Sequence, residues 1–165
     1  MASLLSYLPK HGKMIGRDKE LKIAENTIAT IAGCIPHAVP ILCIAGKRGT
    51  GRTRFMDHLK PFAQRNEMDA YMIDASHASV DELARLSRSG MQAARPTALL
   101  IDNLESMLKV EKGSSERAEL INPLREFIYR ARRAMRLSHV TTPPVFIAFA
   151  INTDEIQLEK ALSML

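Results

Sequence analysis

Apolar positions recur along this chain in two rhythms, a helical one and a continuous one, and the two alternate. From Asp18 to about Ala32, Leu21, Ile23, Ala24, Ile28 and Ile31 return at near-helical spacing, which predicts an amphipathic helix. "GCIPHAVP" then interrupts with a glycine and two prolines. "ILCIA" (41–45) is a short unbroken apolar run, the pattern of a strand covered on both faces. Arg52 to about Arg65 predicts the next helix, with Phe55, Met56, Leu59 and Phe62 as its inward stripe. "AYMID" (70–74) reads as a second strand, and Asp81 to Arg95 as a helix with Leu83, Leu86 and Met91 facing inward. "TALLID" (97–102) reads as a third strand, followed by the polar loop "VEKGSSE" (110–116). A long helical pattern runs from about Ser115 to Leu137, with Pro123 either kinking it or starting a new helix. "PVFIAFAI" (144–151) is the fourth strand, and Glu155 to Leu165 the closing helix.

Strands alternating with helices imply an α/β fold with a mainly parallel sheet. In such sheets ligands sit at the C-terminal ends of the strands. Three features fall there: the loop after Ala45, the segment Asp102 to Glu105, and Asn152.

The first spells G-x-x-x-x-G-R-T, in Gly46, Gly51, Arg52 and Thr53, against the phosphate-loop pattern G-x-x-x-x-G-K-[ST]. Glycines let the backbone turn its N–H groups around phosphate oxygens with no Cβ in the way. The helix that follows offers the same anion its unpaired amides and positive dipole end. Gly46, Lys47, Arg48, Gly49, Thr50, Gly51, Arg52 and Thr53 are the candidate phosphate-binding residues. Thr53 would place its hydroxyl on a magnesium ion. Arg52 keeps the charge of the expected lysine but not its shape, because a guanidinium is wider, planar and branched. Weakened triphosphate binding or an altered phosphate pose is expected.

"ALLIDNLE" ends its apolar run in Asp102, which could orient magnesium through its water shell alongside Thr53. The competing reading is an aspartate that only caps the next turn. The sequence leads us to expect this strand beside that of the phosphate loop.

With these residues in view, the chain resembles the nucleotide-binding core of an AAA+ ATPase, a three-layer P-loop fold. The resemblance rests on Gly46 to Thr53, on "ALLIDNLE", and on Asn152, which looks like a sensor-1 position and so a candidate for contacting the γ-phosphate. "IGRDKEL" is also similar to the Gly-Arg-acidic segment that precedes the loop in initiator ATPases, and "MQAARPTALLIDNLESML" to the Walker B region of unfolding-type members. The resemblance covers about Ile15 to Leu165, leaving residues 1–14 as an N-terminal arm. It implies ATP or ADP and Mg2+ as cofactors and other AAA+ subunits or proteins as partners.

Three departures qualify the activity it implies. The family writes its third strand's end with a glutamate that polarises water; here Asn103 stands in that place and cannot accept a proton. Glu105, two residues on, could reach the site from the following turn, although a helix start suits it better. "ASHASVDE" lacks the aromatic residue of threading members, no arginine finger follows the fourth strand, and no lid domain is seen. The expectation is therefore a degenerate module that binds nucleotide, hydrolyses little alone and acts within an assembly. An active ATPase of initiator or remodelling type and a nucleotide-free scaffold are the alternatives.

Composition adds bounds. The chain has 165 residues, enough for one buried core. Cys34 and Cys43 match no disulfide framework or metal motif and read as small core residues in a reducing compartment. No apolar run approaches a membrane span, nor does the N-terminus read as a secretory signal, so an intracellular (cytoplasmic or nuclear) location is expected. The net charge of +5 leaves nucleic acid open as a partner. Arg125, Arg130, Arg132, Arg133 and Arg136 interleave with apolar residues, the pattern of a surface helix with a basic outer face. The five histidines show no metal-ligand spacing.

Overall fold

A computed structural model describes residues 16–35, 39–79, 81–82, 85–86, 95–109, 115–136 and 143–160. The proposed arm (1–14), Val80, Leu83, Met91 and residues 110–114, 137 and 161–165 lie outside them. In chain order the elements are α1 (Asp18–Ala32), β1 (Ile41–Gly46), α2 (Arg52–Arg65), β2 (Asp69–Asp74), β3 (Thr97–Asp102), α3 (Glu105–Leu108), α4 (Ser115–Arg136) and β4 (Val145–Asn152).

The four strands form one parallel sheet in the order β1-β4-β3-β2. β3 and β4 are buried at every position. This is why both read as unbroken apolar runs: a strand covered on two faces has no reason to alternate. The alternation survives in which layer each side chain enters. Ala98, Leu100, Phe146, Ala148 and Ala150 pack under α1 and α2, against Ile28, Met56 and Leu59. Leu99, Ile101, Ile147, Phe149 and Ile151 pack on the other face, against Leu124, Phe127 and Ile128 of α4. Three layers result. His58 Nε2 lies 3.3 Å from Glu25 Oε1, joining α2 to α1 across the first layer.

Several expectations need correction. β4 lies between β1 and β3, so Asp102 does not end on the strand next to the phosphate loop. Ile23 is 61% exposed. It sits about 200° around the helix from Leu21, whereas Ala24, Ile28 and Ile31 stay near Leu21's side. Cys34 is exposed as well, not a core residue. It takes a left-handed φ of 54° just past α1, where the chain turns away from the core. α4 runs unbroken through Pro123, and residues 115 and 116 belong to it rather than to a loop. The closing helix does not begin at Glu155: residues 153–155 form a turn, and helical residues start at Leu158. Of the predicted helix over 81–95, residues 81, 82, 85 and 86 are helical, Leu86 is buried, and Arg95 lies outside any helix.

Core and surface positions on the two helices predict a sharp contrast. Leu59→Ala, at a fully buried site between the sheet and α1, should cost about 2–5 kcal/mol. Ile23→Ser should stay within about 0.5 kcal/mol. Denaturant midpoints of the two variants check this.

Candidate functional site

The strand tips Gly46 and Asn152 are level with one another, as are Asp74 and Asp102. Gly46 leads into a loop whose glycines answer to different constraints. A Cβ on Gly46 would meet Thr50 Oγ1 at 2.6 Å, so this position is closed to larger residues. Gly49 and Gly51 hold φ of 82° and 81°, the left-handed region where a side chain is strained. Thr50 fastens the turn, donating from its N–H (3.3 Å) and its Oγ1 (2.9 Å) to the Lys47 carbonyl.

Gly51 is the N-cap of α2 and brings no side chain to the helix's first amides. Those amides have no intrahelical acceptor. The first turn also contains no acid but holds Arg52 and Arg54, cations at the positive end of a helix dipole. By contrast, α1 opens with Asp18 and Glu20. A cavity of about 470 Å³ opens at the start of α2, bounded by Arg48 to Arg54 and Asn103.

Arg52 is turned back on its own loop. Its guanidinium donates to the Gly46 carbonyl and lies 3.4 Å from Asn152 Oδ1. Asn152 is engaged on every side. Its N–H donates to Glu105 Oε2 at 2.9 Å, its Nδ2 to Glu155 Oε1 at 2.8 Å, and its Oδ1 accepts from the Asp154 N–H at 3.2 Å. Asp154 Oδ2 in turn accepts the Arg48 amide at 3.0 Å. The turn after β4 thus already places one carboxylate against the loop. Nothing in the spacing of Asp154 signals this, since the contact joins residues 106 apart in sequence across two neighbouring strand ends. Lys109 reaches Glu155 from the end of α3, and with Asn152 holds that carboxylate below its usual range.

The acids at the next strands behave differently. Asp102 is 3% exposed, and its Oδ1 accepts the Asn103 amide at 2.9 Å, the turn-capping contact of the competing reading. Asn103 has a φ of 53° and sends its Nδ2 to Asp74 Oδ1 at 3.0 Å. Asparagine tolerates that backbone better than longer side chains do. Glu105 starts α3, is 3% exposed, and is held by the Asn152 N–H. Thr53 is exposed on the 470 Å³ cavity, which Asp102 and Glu105 do not line. The structure therefore brings Arg52, Asn152, Glu105 and the loop together, and Asn103 to the cavity's far wall. Asp102 stays behind it.

A second cavity, about 260 Å³, flanks the loop on the β1 side, with Arg17, Ile23, Leu42, Cys43 and Phe55 among its walls. Arg17 belongs to the "IGRDKEL" segment, whose resemblance was the one sequence signal for this wall. Burial pushes the Cys43 thiol up to about 11, so it stays protonated and unreactive.

No family model matches the chain, and no curated protein does. Solved structures do. A chain of the E. coli MS115-1 HORMA:CdnC:Trip13 complex superposes with a TM-score of 0.60 at 15% identity, over 96% of this chain and 61% of that one. C. elegans PCH-2 superposes with a TM-score of 0.58 at 14% identity, over 88% of this chain and 39% of that one. The fold is α/β with a four-stranded parallel sheet, matching these AAA+ ATPases. The chain thus spans less than two thirds of either.

Asp74, at the tip of β2, carries a pH prediction. Burial of one flank raises its pKa, but hydrogen bonds from the Ser76 hydroxyl and amide, Asn103 and His77 outweigh this and hold it at about 2. A carboxylate depressed on folding contributes stability above its unfolded pKa and loses it as pH falls through the folded value. Asp74→Ala should therefore melt below wild type at pH 6, and the gap should close between about pH 4 and pH 2. Thermal melts of both proteins across that range provide the measurement.

Proposed function

We propose that the chain is a degenerate AAA+ module that binds ATP or ADP with magnesium, hydrolyses little by itself, and acts within a protein assembly. The observation that carries this is the start of α2: left-handed Gly49 and Gly51 and helix amides without a side-chain cap, beside Arg52 and Thr53, around one cavity. These groups suit the phosphates. The cavity beside Arg17 and Phe55 offers apolar wall for the base. Two solved AAA+ structures of the same fold support the class, and the E. coli protein was seen in complex with HORMA and CdnC, which supports protein partners here. No helix among the described residues is long and apolar enough to cross a membrane.

Magnesium in such sites takes a hydroxyl, water and phosphate oxygens more than a dedicated cage. Thr53 offers an exposed hydroxyl, and Asp102, with one oxygen on the Asn103 amide, would act from behind through water. Bound there, the ion would neutralise phosphate charge. Arg52 must leave Gly46 and Asn152 before it can meet a phosphate, and a ligand must compete with Asp154 at the Arg48 amide.

Calorimetric titration with magnesium-ATP tests binding. Gly51→Val should abolish it, because a β-branched residue cannot hold the left-handed φ. Arg52→Lys should leave it intact or strengthen it, and Asp154→Ala should tighten it by freeing the Arg48 amide. Wild-type protein that takes up no nucleotide would leave the scaffold reading in its place.

Hydrolysis makes a separate test. Asn103 cannot deprotonate water, and the carboxylate of Glu105 is buried on the Asn152 amide. Loss of a general base costs about 10²–10⁴-fold. Asn103→Glu should recover little, because glutamate would have to enter the left-handed backbone that Asn103 occupies. Steady-state phosphate release at saturating magnesium-ATP should sit near background. Turnover on the order of 1 per second, lost in Glu105→Gln, would make Glu105 the base and the chain an active ATPase.

A further inference from the structure

The outer face of α4 lies on the opposite side of the sheet from α1 and α2. Its inward stripe is Ile121, Leu124, Phe127, Ile128 and Ala131, all buried. On the other side stands Tyr129, 60% exposed. Arg125, Arg132 and Arg133 are exposed too, and lie four residues before, three after and four after that ring. Those are the spacings that bring helical side chains to one another's side. The four positions flanking the tyrosine on this face are thus Arg125, Glu126, Arg132 and Arg133, three cations and one acid over about 12 Å of helix.

A solvated helix face usually offsets its cations with acids three or four residues away. Here the positions three and four away from Arg132 are Ile128, Tyr129, Met135 and Arg136; from Arg133 they are Tyr129, Arg130, Arg136 and Leu137. Neither arginine has an acid at pairing distance along the helix. Arg125 has none at those spacings either, although it does have an interaction of its own, so Arg132, Arg133 and Tyr129 are the residues that matter most. The helix dipole favours cations near the end of α4, but it does not account for an exposed aromatic ring set among them.

We propose that this face of α4 binds single-stranded nucleic acid, with a base stacked on Tyr129 and the flanking phosphates held by Arg132 and Arg133. Charge complementarity selects a polyanion. The ring selects among polyanions: an acidic polypeptide gains nothing from a stacking surface, whereas an unpaired base does. A duplex keeps its bases stacked on one another and cannot offer one to the ring, so single strands are preferred. The face lies on the other layer from the phosphate loop, and the proposal does not depend on nucleotide binding there.

Fluorescence anisotropy of a labelled oligothymidylate with the full chain is the test. Binding should weaken with salt, each arginine contributing about 0.7 to the slope of log affinity against log salt. Arg132→Gln with Arg133→Gln should lower that slope by about 1.4. Tyr129→Ala should weaken binding about 5- to 150-fold at unchanged slope, the loss of one stacked base, and Tyr129→Phe should preserve it. All these positions are exposed, and circular dichroism melts should match wild type. Absence of binding at low salt would overturn the proposal. So would full binding by Tyr129→Ala, equal affinity for a duplex of the same length, or stronger displacement by polyglutamate than by unlabelled oligonucleotide; the last would point to an acidic protein instead.

Discussion

A strand buried along all eight of its residues has no water to satisfy its backbone, and β4 is such a strand. Every amide and carbonyl must find a partner in a neighbouring strand, because an unpaired buried group costs as much as a lost hydrogen bond. β1 and β3 supply those partners, one on each side. The consequences reach the site directly. Placing β4 beside β1 sets Asn152 level with Gly46, and the Thr153 amide goes on to donate to the Gly46 carbonyl. The turn beyond then meets the loop through Asp154, and Arg52 meets Asn152. Without the central strand these groups, about a hundred residues apart in sequence, would have no common address.

The same arrangement explains the division of labour among the strand-end polar groups. Asn152 and Glu105 are buried next to the loop and complete each other's hydrogen bonds, so their exchange with solvent or ligand carries a cost. Asp74 and Asn103, out toward the β2 edge, form a separate, more exposed pair with Ser76 and His77. The loop itself is exposed, with a protein carboxylate on the Arg48 amide. Buried, mutually bonded groups sit behind, and exposed ones in front.

Much of this was legible from pattern. The alternation of helical and continuous apolar runs was enough to specify an α/β fold, because a parallel sheet covered on both faces leaves no other way to bury such strands. The glycine spacing of Gly46, Gly49 and Gly51 was readable because their constraint is local: a left-handed φ or a close approach to Thr50 excludes side chains whatever the rest of the chain does. Substitution of Arg52 and Asn103 for the residues the resemblance implies was equally visible, being a matter of identity at a position.

Adjacency was not legible. Strand order depends on which edges meet after the helices cross, and a short apolar run carries no label for its neighbour; Asp102 was therefore assigned next to the loop when β4 lies between. Burial of single residues was misjudged where a local turn intervened, as at Cys34, or where one apolar residue fell off the stripe, as at Ile23. The contacts of Arg52 with Gly46 and Asn152, and of Asp154 with the Arg48 amide, join segments that only the sheet brings together. The sequence by itself determined the alternating layers and where the loop needs glycine, since both follow from short-range sterics and the period of burial. Which polar groups face that loop was decided by the tertiary structure alone, because a hydrogen bond depends on distance in space and not on distance along the chain.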